Sequence, residues 1–432
     1  MEIKRNLYLQ KLIDRKHNTA IKVITGIRRC GKSYLLNTLF YNHLLESGVA
    51  PDHIIKFAFD SQADLSLIGE DLITLAQTKR KADPRKFSDY INSKITEDGM
   101  YYLLLDEVQE LEAFEYVLNG FLYNRNLDVY VTGSNSKFLS TDIITEFRGR
   151  GDEVRIYPLS FSEFCSAYNG DTLSAWRDYC VYGGLPRILS WTNAQQKSEY
   201  LTNLFKETYI KDLINRNNIR NESEFDALID VLASAIGSLT NPQKIANTFM
   251  STSNKSLSAS IIKRYIDCLC DAFVVSNAKQ YNIKGRKYIN TPSKYYFTDI
   301  GLRNARLNFR QTELPHIMEN IIYNELVIRG YNVDVGIVEF NARDKDGKHI
   351  LKRSEVDFVC NQGYKRYYIQ SAFSIPDNEK LQQEQASLDR IDDSFKKIII
   401  VQDFMSPTYQ NDKGYTIINV LDFLLNPSSL DL

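Results

Sequence analysis

Ile21-Lys22-Val23-Ile24-Thr25-Gly26-Ile27-Arg28-Arg29-Cys30-Gly31-Lys32-Ser33-Tyr34 decides how the first part of this 432-residue chain folds. Its first five residues are β-rich and largely apolar, as a strand buried in a parallel sheet must be, and they run directly into a loop bracketed by glycines. Strand, glycine-rich loop and helix start follow in the order that lets backbone N–H groups curl around phosphate oxygens. Gly26 and Gly31 permit the curl, and Ile27, Arg28, Arg29 and Cys30 lie between them. Lys32 reaches the β and γ oxygens, Ser33 offers a hydroxyl to magnesium, and the helix on which Tyr34 follows adds its positive dipole end. The stretch therefore predicts ATP and Mg2+ as cofactors.

Further along, Met100-Tyr101-Tyr102-Leu103-Leu104-Leu105 reads as a second buried strand, closed by Asp106-Glu107. Beside a phosphate loop, Asp106 would hold magnesium through water and Glu107 would polarise the attacking water. A third strand, Leu127 to Gly133, ends in Ser134-Asn135-Ser136; if it lies between the other two, Ser134 or Asn135 reaches the γ-phosphate, although the same residues also suit an ordinary turn. Arg148 and Arg150 in Glu146-Phe147-Arg148-Gly149-Arg150-Gly151-Asp152 suit an arginine finger or a solvated surface turn equally.

Size and composition set the frame. At this length more than one core is expected. With 43% hydrophobic and 25% charged residues, the chain reads as folded throughout. No run approaches eighteen apolar residues and the start lacks a signal-peptide core, so no membrane and a cytoplasmic location are expected. The six scattered cysteines read as reduced, buried thiols. A net charge of -1 argues against a wholesale nucleic-acid coat but leaves room for a local basic patch.

After Pro158 the pattern turns helical, with Ser162 to Tyr168 and Thr172 to Tyr182 broken by Gly183-Gly184-Leu185-Pro186, as in a small helical lid at 158–220. Residues 221–305 read as a winged-helix domain: three helices, near Phe225 to Ser238, Pro242 to Met250 and Ser258 to Ala272, then extended segments at 273–276 and 295–297. Lys263 and Arg264 lie on the third helix and Lys284, Arg286 and Lys287 at the wing tip. These cations suit a DNA backbone, and equally a protein-docking module with solvated charges.

Thr-Gly-Ile-Arg-Arg-Cys-Gly-Lys-Ser, Leu-Leu-Leu-Asp-Glu-Val-Gln, Val-Thr-Gly-Ser-Asn-Ser and Arg-Gly-Arg, in that order, resemble the prokaryotic AAA-type ATPases. Arg28-Arg29 inside the loop, Pro158-Leu159-Ser160-Phe161 with Glu163-Phe164, and Gly183-Gly184-Leu185-Pro186 are similar to the branch whose ATPase is followed by a carboxyl-terminal domain of unknown function. The resemblance implies Lys32 and Ser33 at phosphate and magnesium, Asp106 and Glu107 as the acidic pair, Asn135 as sensor, and Arg150 rather than Arg148 as finger. A finger acting between subunits would make the protein a homo-oligomer. The last part, 306–432, resembles the restriction-endonuclease-like fold through a helix over Glu319 to Tyr331 and strands at 333–340, 354–360 and 367–372. Glu319 or Glu325 and Asp357 match that fold's first metal ligands. Gln370-Ser371-Ala372 departs from its Glu-x-Lys, which predicts a domain that has lost cleavage.

The fold class expected is thus α/β: a P-loop parallel-sheet domain over 1–157, then lid, winged helix and endonuclease-like domain. The function expected is ATP hydrolysis that moves the winged-helix and nuclease-like module, on DNA or not, with a slow nucleotide switch recruiting a protein partner as the alternative. An ATP-dependent nuclease is disfavoured by Gln370 and Ala372, and a P-loop kinase by an acidic pair suited to attack by water.

Overall fold

Five strands build the first sheet: β1 (Ile21–Thr25), β2 (Ile54–Ala58), β3 (Tyr101–Asp106), β4 (Leu127–Thr132) and β5 (Gly151–Arg155). The computed structural model describes residues 3–96, 98–133, 147, 149–253, 257–310, 313–343, 347–375, 377–404 and 407–432. The five strands are all parallel and ordered β2-β3-β4-β1-β5. β1, β3 and β4 are buried at every position, which is why they read as unbroken apolar runs rather than alternating ones. β4 does lie between β1 and β3, so the loop after β1, the Asp106–Glu107 corner after β3 and Gly133 after β4 share one sheet edge. Beneath them Val23, Phe57, Phe87, Leu103, Phe114 and Val129 belong to one apolar core.

The chain packs as two units, Met1–Pro158 with Asp271–Phe273, and Leu159–Cys270 with Val274–Leu432. In the second unit the helices Phe161–Ala167 and Thr172–Tyr182 come first; the former starts at Ser160 with a reciprocal cap to Glu163. The expected long helix over 197–216 runs as Ala194–Asn203, a π-helical stretch Leu204–Ile210, and Lys211–Asn217. Three helices follow, Glu222–Ser234, Pro242–Ser253 and Ala259–Asp271.

The extended segments expected as a wing are longer than read, β6 (Val275–Asn282) and β7 (Lys287–Phe297), and they do not stand alone. β6 pairs in parallel with β8 (Asn332–Arg343), which continues through β9 (His349–Gln362), β10 (Lys365–Ala372), β11 (Lys396–Val401), β12 (Tyr409–Gln410) and β13 (Thr416–Asn419). The eight strands form one sheet in the order β12-β13-β11-β10-β9-β8-β6-β7. The domain edge expected at 305 therefore falls inside a packed layer. Main-chain pairing of Gln280–Asn282 with Val335–Ile337 decides this, and residue patterns say nothing about which edge a hairpin joins. The helix Leu314–Ile328 packs on β8 and β10.

All six cysteines are free, but only Cys30, Cys180 and Cys360 are buried; Cys165, Cys268 and Cys270 are half-buried. Among the described residues no helix is long and apolar enough to cross a membrane.

Candidate nucleotide site

The loop after β1 curls through three left-handed positions, Gly26 at φ 141°, Arg29 at 64° and Gly31 at 103°. A Cβ at Gly26 would stand 2.3 Å from the Ile156 carbonyl oxygen, so only glycine passes there. Arg28 and Arg29 are exposed, and Cys30 is buried with its sulfur 3.9 Å from the Ile156 carbonyl. Burial pushes the Cys30 thiol up, which makes it a packing residue rather than a nucleophile. The Lys32 amine is buried and donates to the carbonyls of Gly26 at 3.0 Å and Ile27 at 3.3 Å, folded over the mouth of the loop. Ser33 is exposed at the start of the helical stretch 32–46 and Tyr34 is half-buried behind it.

At the end of β3, Asp106 is oriented from two sides: it accepts from the Thr132 hydroxyl at the end of β4 and from the Asn37 amide at 3.2 Å. The same Thr132 oxygen accepts the Glu107 N–H at 3.3 Å, tying the two strand ends together. Glu107 sits at φ 51°, a strained conformation for a residue with a side chain, and its carboxylate accepts from the Gln109 amide. Asp60, after β2, is pushed up by burial and by the charges of Asp106 and Glu107, so three carboxylates crowd this corner. A loop closed to a Cβ at Gly26, a buried amine bonded only to carbonyls among the described residues, and an oriented carboxylate fit a polyphosphate and its cation. Sequence reasoning passed over Asn37, Asp60, Gln109 and Thr132. Gln109 and Thr132 stand inside motifs already quoted, whereas nothing marks Asn37.

Asn135 and Arg148 lie outside the described residues. Arg150 is exposed, and its carbonyl accepts the Ile21 N–H at 2.9 Å, at the start of β1 and so at the strand end opposite the phosphate loop. In the second unit, Glu319 and Asp357 come together around Lys294, while Glu325 pairs with Arg329 at 2.7 Å and stays out of that cluster. Lys263, Arg264, Lys284, Arg286 and Lys287 are exposed as expected, but Lys263 pairs with Asp267 at 2.8 Å and Lys284 with Asp392 at 3.3 Å.

Residues 18–165 match an AAA domain and residues 173–313 a domain of unknown function. An uncharacterized protein of Haemophilus influenzae is 34% identical over 98% of each chain, and one of Methanocaldococcus jannaschii is 26% identical over 95% of this chain and 86% of its own. Among solved structures, the Orc1 protein of Aeropyrum pernix in complex with DNA overlaps 71% of this chain and 92% of its own, at 10% identity and a TM-score of 0.34, an overlap too loose to bear on function.

Proposed function

We propose a function from this premise: the chain belongs to a family of proteins with an amino-terminal AAA domain, shared with the uncharacterized Haemophilus influenzae protein. It binds ATP with Mg2+ and hydrolyses the terminal phosphate by attack of water. The observation that carries this reading is the placement of Asp106 and Glu107 at the carboxyl end of β3, with one strand, β4, between them and the loop at Gly26–Ser33. ATP brings the anhydride bond, and its Mg2+ the positive charge that steadies the leaving oxygens.

The protein's own groups do the rest. Amides of Gly26 to Lys32 wrap the phosphates, and the Lys32 amine leaves its two carbonyls to reach the β and γ oxygens. Ser33 and Asp106 hold the magnesium, Thr132 and Asn37 keep Asp106 aimed, and Glu107 polarises the water. Asn135 senses the γ-phosphate and Arg150 reaches a neighbouring copy's site. Turnover moves the second unit, in which a lid, a winged helix and an endonuclease-like region without cleavage make up the moving module. Lys263, Arg264, Lys284, Arg286 and Lys287, all exposed, are the groups through which it would contact DNA.

Glu107→Gln tests the chemistry. Phosphate release should fall by roughly 100-fold or more while ATP stays bound, because the carboxylate activates water and does not hold the nucleotide. Unchanged release in the variant, or a wild-type protein that retains no ATP, would sink the proposal. One observation favours the slower switch as a second reading: Glu107 is held by Gln109, so basal turnover is restrained until something frees it.

A further inference from the structure

A second charged cluster lies within the second unit. Lys294, on β7, has a side chain 2% exposed, and its amine stands 2.8 Å from Glu319 Oε1, 2.7 Å from Glu355 Oε1 and 3.4 Å from Asp357 Oδ1. Glu355 and Asp357 are two apart on β9 and share a face, and Glu319 comes from the helix Leu314–Ile328. The Tyr296 hydroxyl donates to Glu319 Oε1 at 2.6 Å, the Ser371 N–H donates to Asp357 Oδ2 at 2.9 Å, and His316 Nδ1 lies 4.0 Å from Glu319 Oε2.

The backbone around Lys294 is pinned on both sides. Ser293 exchanges two main-chain hydrogen bonds with Thr240, each 2.9 Å, and Phe297 exchanges two with the buried Asn320 amide, each 2.8 Å. A Cβ on Gly237 would stand 2.8 Å from Glu319 Oε2, so that wall is closed as well. The amine is held where it is by the fold, not by the reach of a loose side chain.

The restriction-endonuclease-like fold that this region resembles gathers a divalent ion with a helix Glu, a strand Asp and a Glu-x-Lys. The residues here do not fit that ion. Gln370 and Ala372 remove a carboxylate and an amine from β10, and the space among the remaining carboxylates holds a protein cation. A metal about 2.0–2.6 Å from the same oxygens would sit in contact with the ammonium, like charge against like charge. Among the described residues no group of three or more His, Cys, Asp or Glu is disposed to hold a metal. The ammonium instead pairs directly with all three carboxylates, Glu319, Glu355 and Asp357.

We propose that the Lys294 ammonium is a built-in cation standing in the place of a divalent ion, and that the carboxylate pocket takes a divalent ion only when this amine is removed. The inference does not depend on the ATPase reading. It assigns Lys294 as the residue that makes the terminal region independent of metal.

The test uses the full chain without nucleotide, titrated with Mn2+ and followed by the electron-spin signal of the free ion. Wild type and Glu319→Gln should bind Mn2+ alike, since the pocket contributes nothing in either. Lys294→Met should bind one additional ion, at least about tenfold tighter than any site of the wild type, and melt higher with Mn2+ present. The added site should vanish in Lys294→Met/Glu319→Gln. Wild-type Mn2+ binding lost in Glu319→Gln would overturn the proposal, and plasmid cleavage lost in the same variant would make Lys294 an amine beside a working metal. A folded Lys294→Met with no added site also overturns it. Should Lys294→Met fail to fold, the comparison of wild type with Glu319→Gln still decides.

Discussion

Gln109 is 3% exposed, its amide donates to Glu107, and its other side-chain atom, Oε1, is buried without a hydrogen-bond partner among the described residues. A buried amide half satisfied in this way is held in place by what it grips, and what it grips is the group proposed to activate water. Replacing it with Leu removes the restraint and the orphaned oxygen together. Gln109→Leu should raise basal ATP hydrolysis by about tenfold, the worth of one charge-assisted hydrogen bond, with little change in KM. Slower hydrolysis in a steady-state phosphate assay would make Gln109 a positioning residue instead. At this scale, Gly26, Lys32, Ser33, Asp106 and Glu107 were legible as candidates because the chemistry proposed for them groups them in short runs of sequence. Lys294 was not, because its three carboxylate partners stand between 25 and 63 positions away.

Between elements, Gly183-Gly184-Leu185-Pro186 marks a crossing rather than a mere helix stop. Asp299 caps the helix Ile300–Arg306 by accepting the Leu302 N–H at 3.0 Å, and it also accepts the Gly184 N–H at 2.8 Å. A Cβ on Gly183 would stand 2.3 Å from Asp299 Oδ1, and one on Gly301 would stand 2.0 Å from the Tyr182 carbonyl oxygen. The two segments therefore touch backbone to backbone. Burial pushes the Asp299 carboxyl up to about 6, against the pull of the backbone N–H donors. A folded-state pKa above the unfolded value of 3.8 means that Asp299 contributes stability fully present below that value and lost as pH rises through about 6. Asp299→Asn should remove this slope, so in urea melts the wild type should lose ~2 kcal/mol relative to the variant on going from pH 4 to pH 6.5. Parallel curves would show that Asp299 keeps an ordinary pKa. The glycine pair was visible as a break, but its partner 115 positions away was not.

At the scale of the whole molecule, Arg150 lies beside the first residue of β1 while the phosphate loop follows the last. Five residues of strand separate them, about 16 Å, well beyond an arginine's reach. If Arg150 is the finger, it serves the site of another copy. Arg150→Ala and Glu107→Gln should each be nearly inactive alone, yet a mixture should recover part of the wild-type rate, because mixed assemblies contain an intact Glu107 facing an intact Arg150. No recovery in a mixture that sedimentation shows to be assembled would leave Arg150 as a surface residue.

The sequence alone determined the strand–loop–helix of the first sheet, the acidic strand end and the helices of the second unit. Each of these depends on residues within a few positions of one another and on a burial pattern with a short period. Only the tertiary structure decided that β6 and β7 join the terminal sheet, that Glu319 rather than Glu325 meets Asp357, and that a lysine from β7 fills the cluster between them. Those outcomes depend on which distant segments come together when apolar faces are buried and main-chain groups are paired, and no local pattern of residue types records that choice.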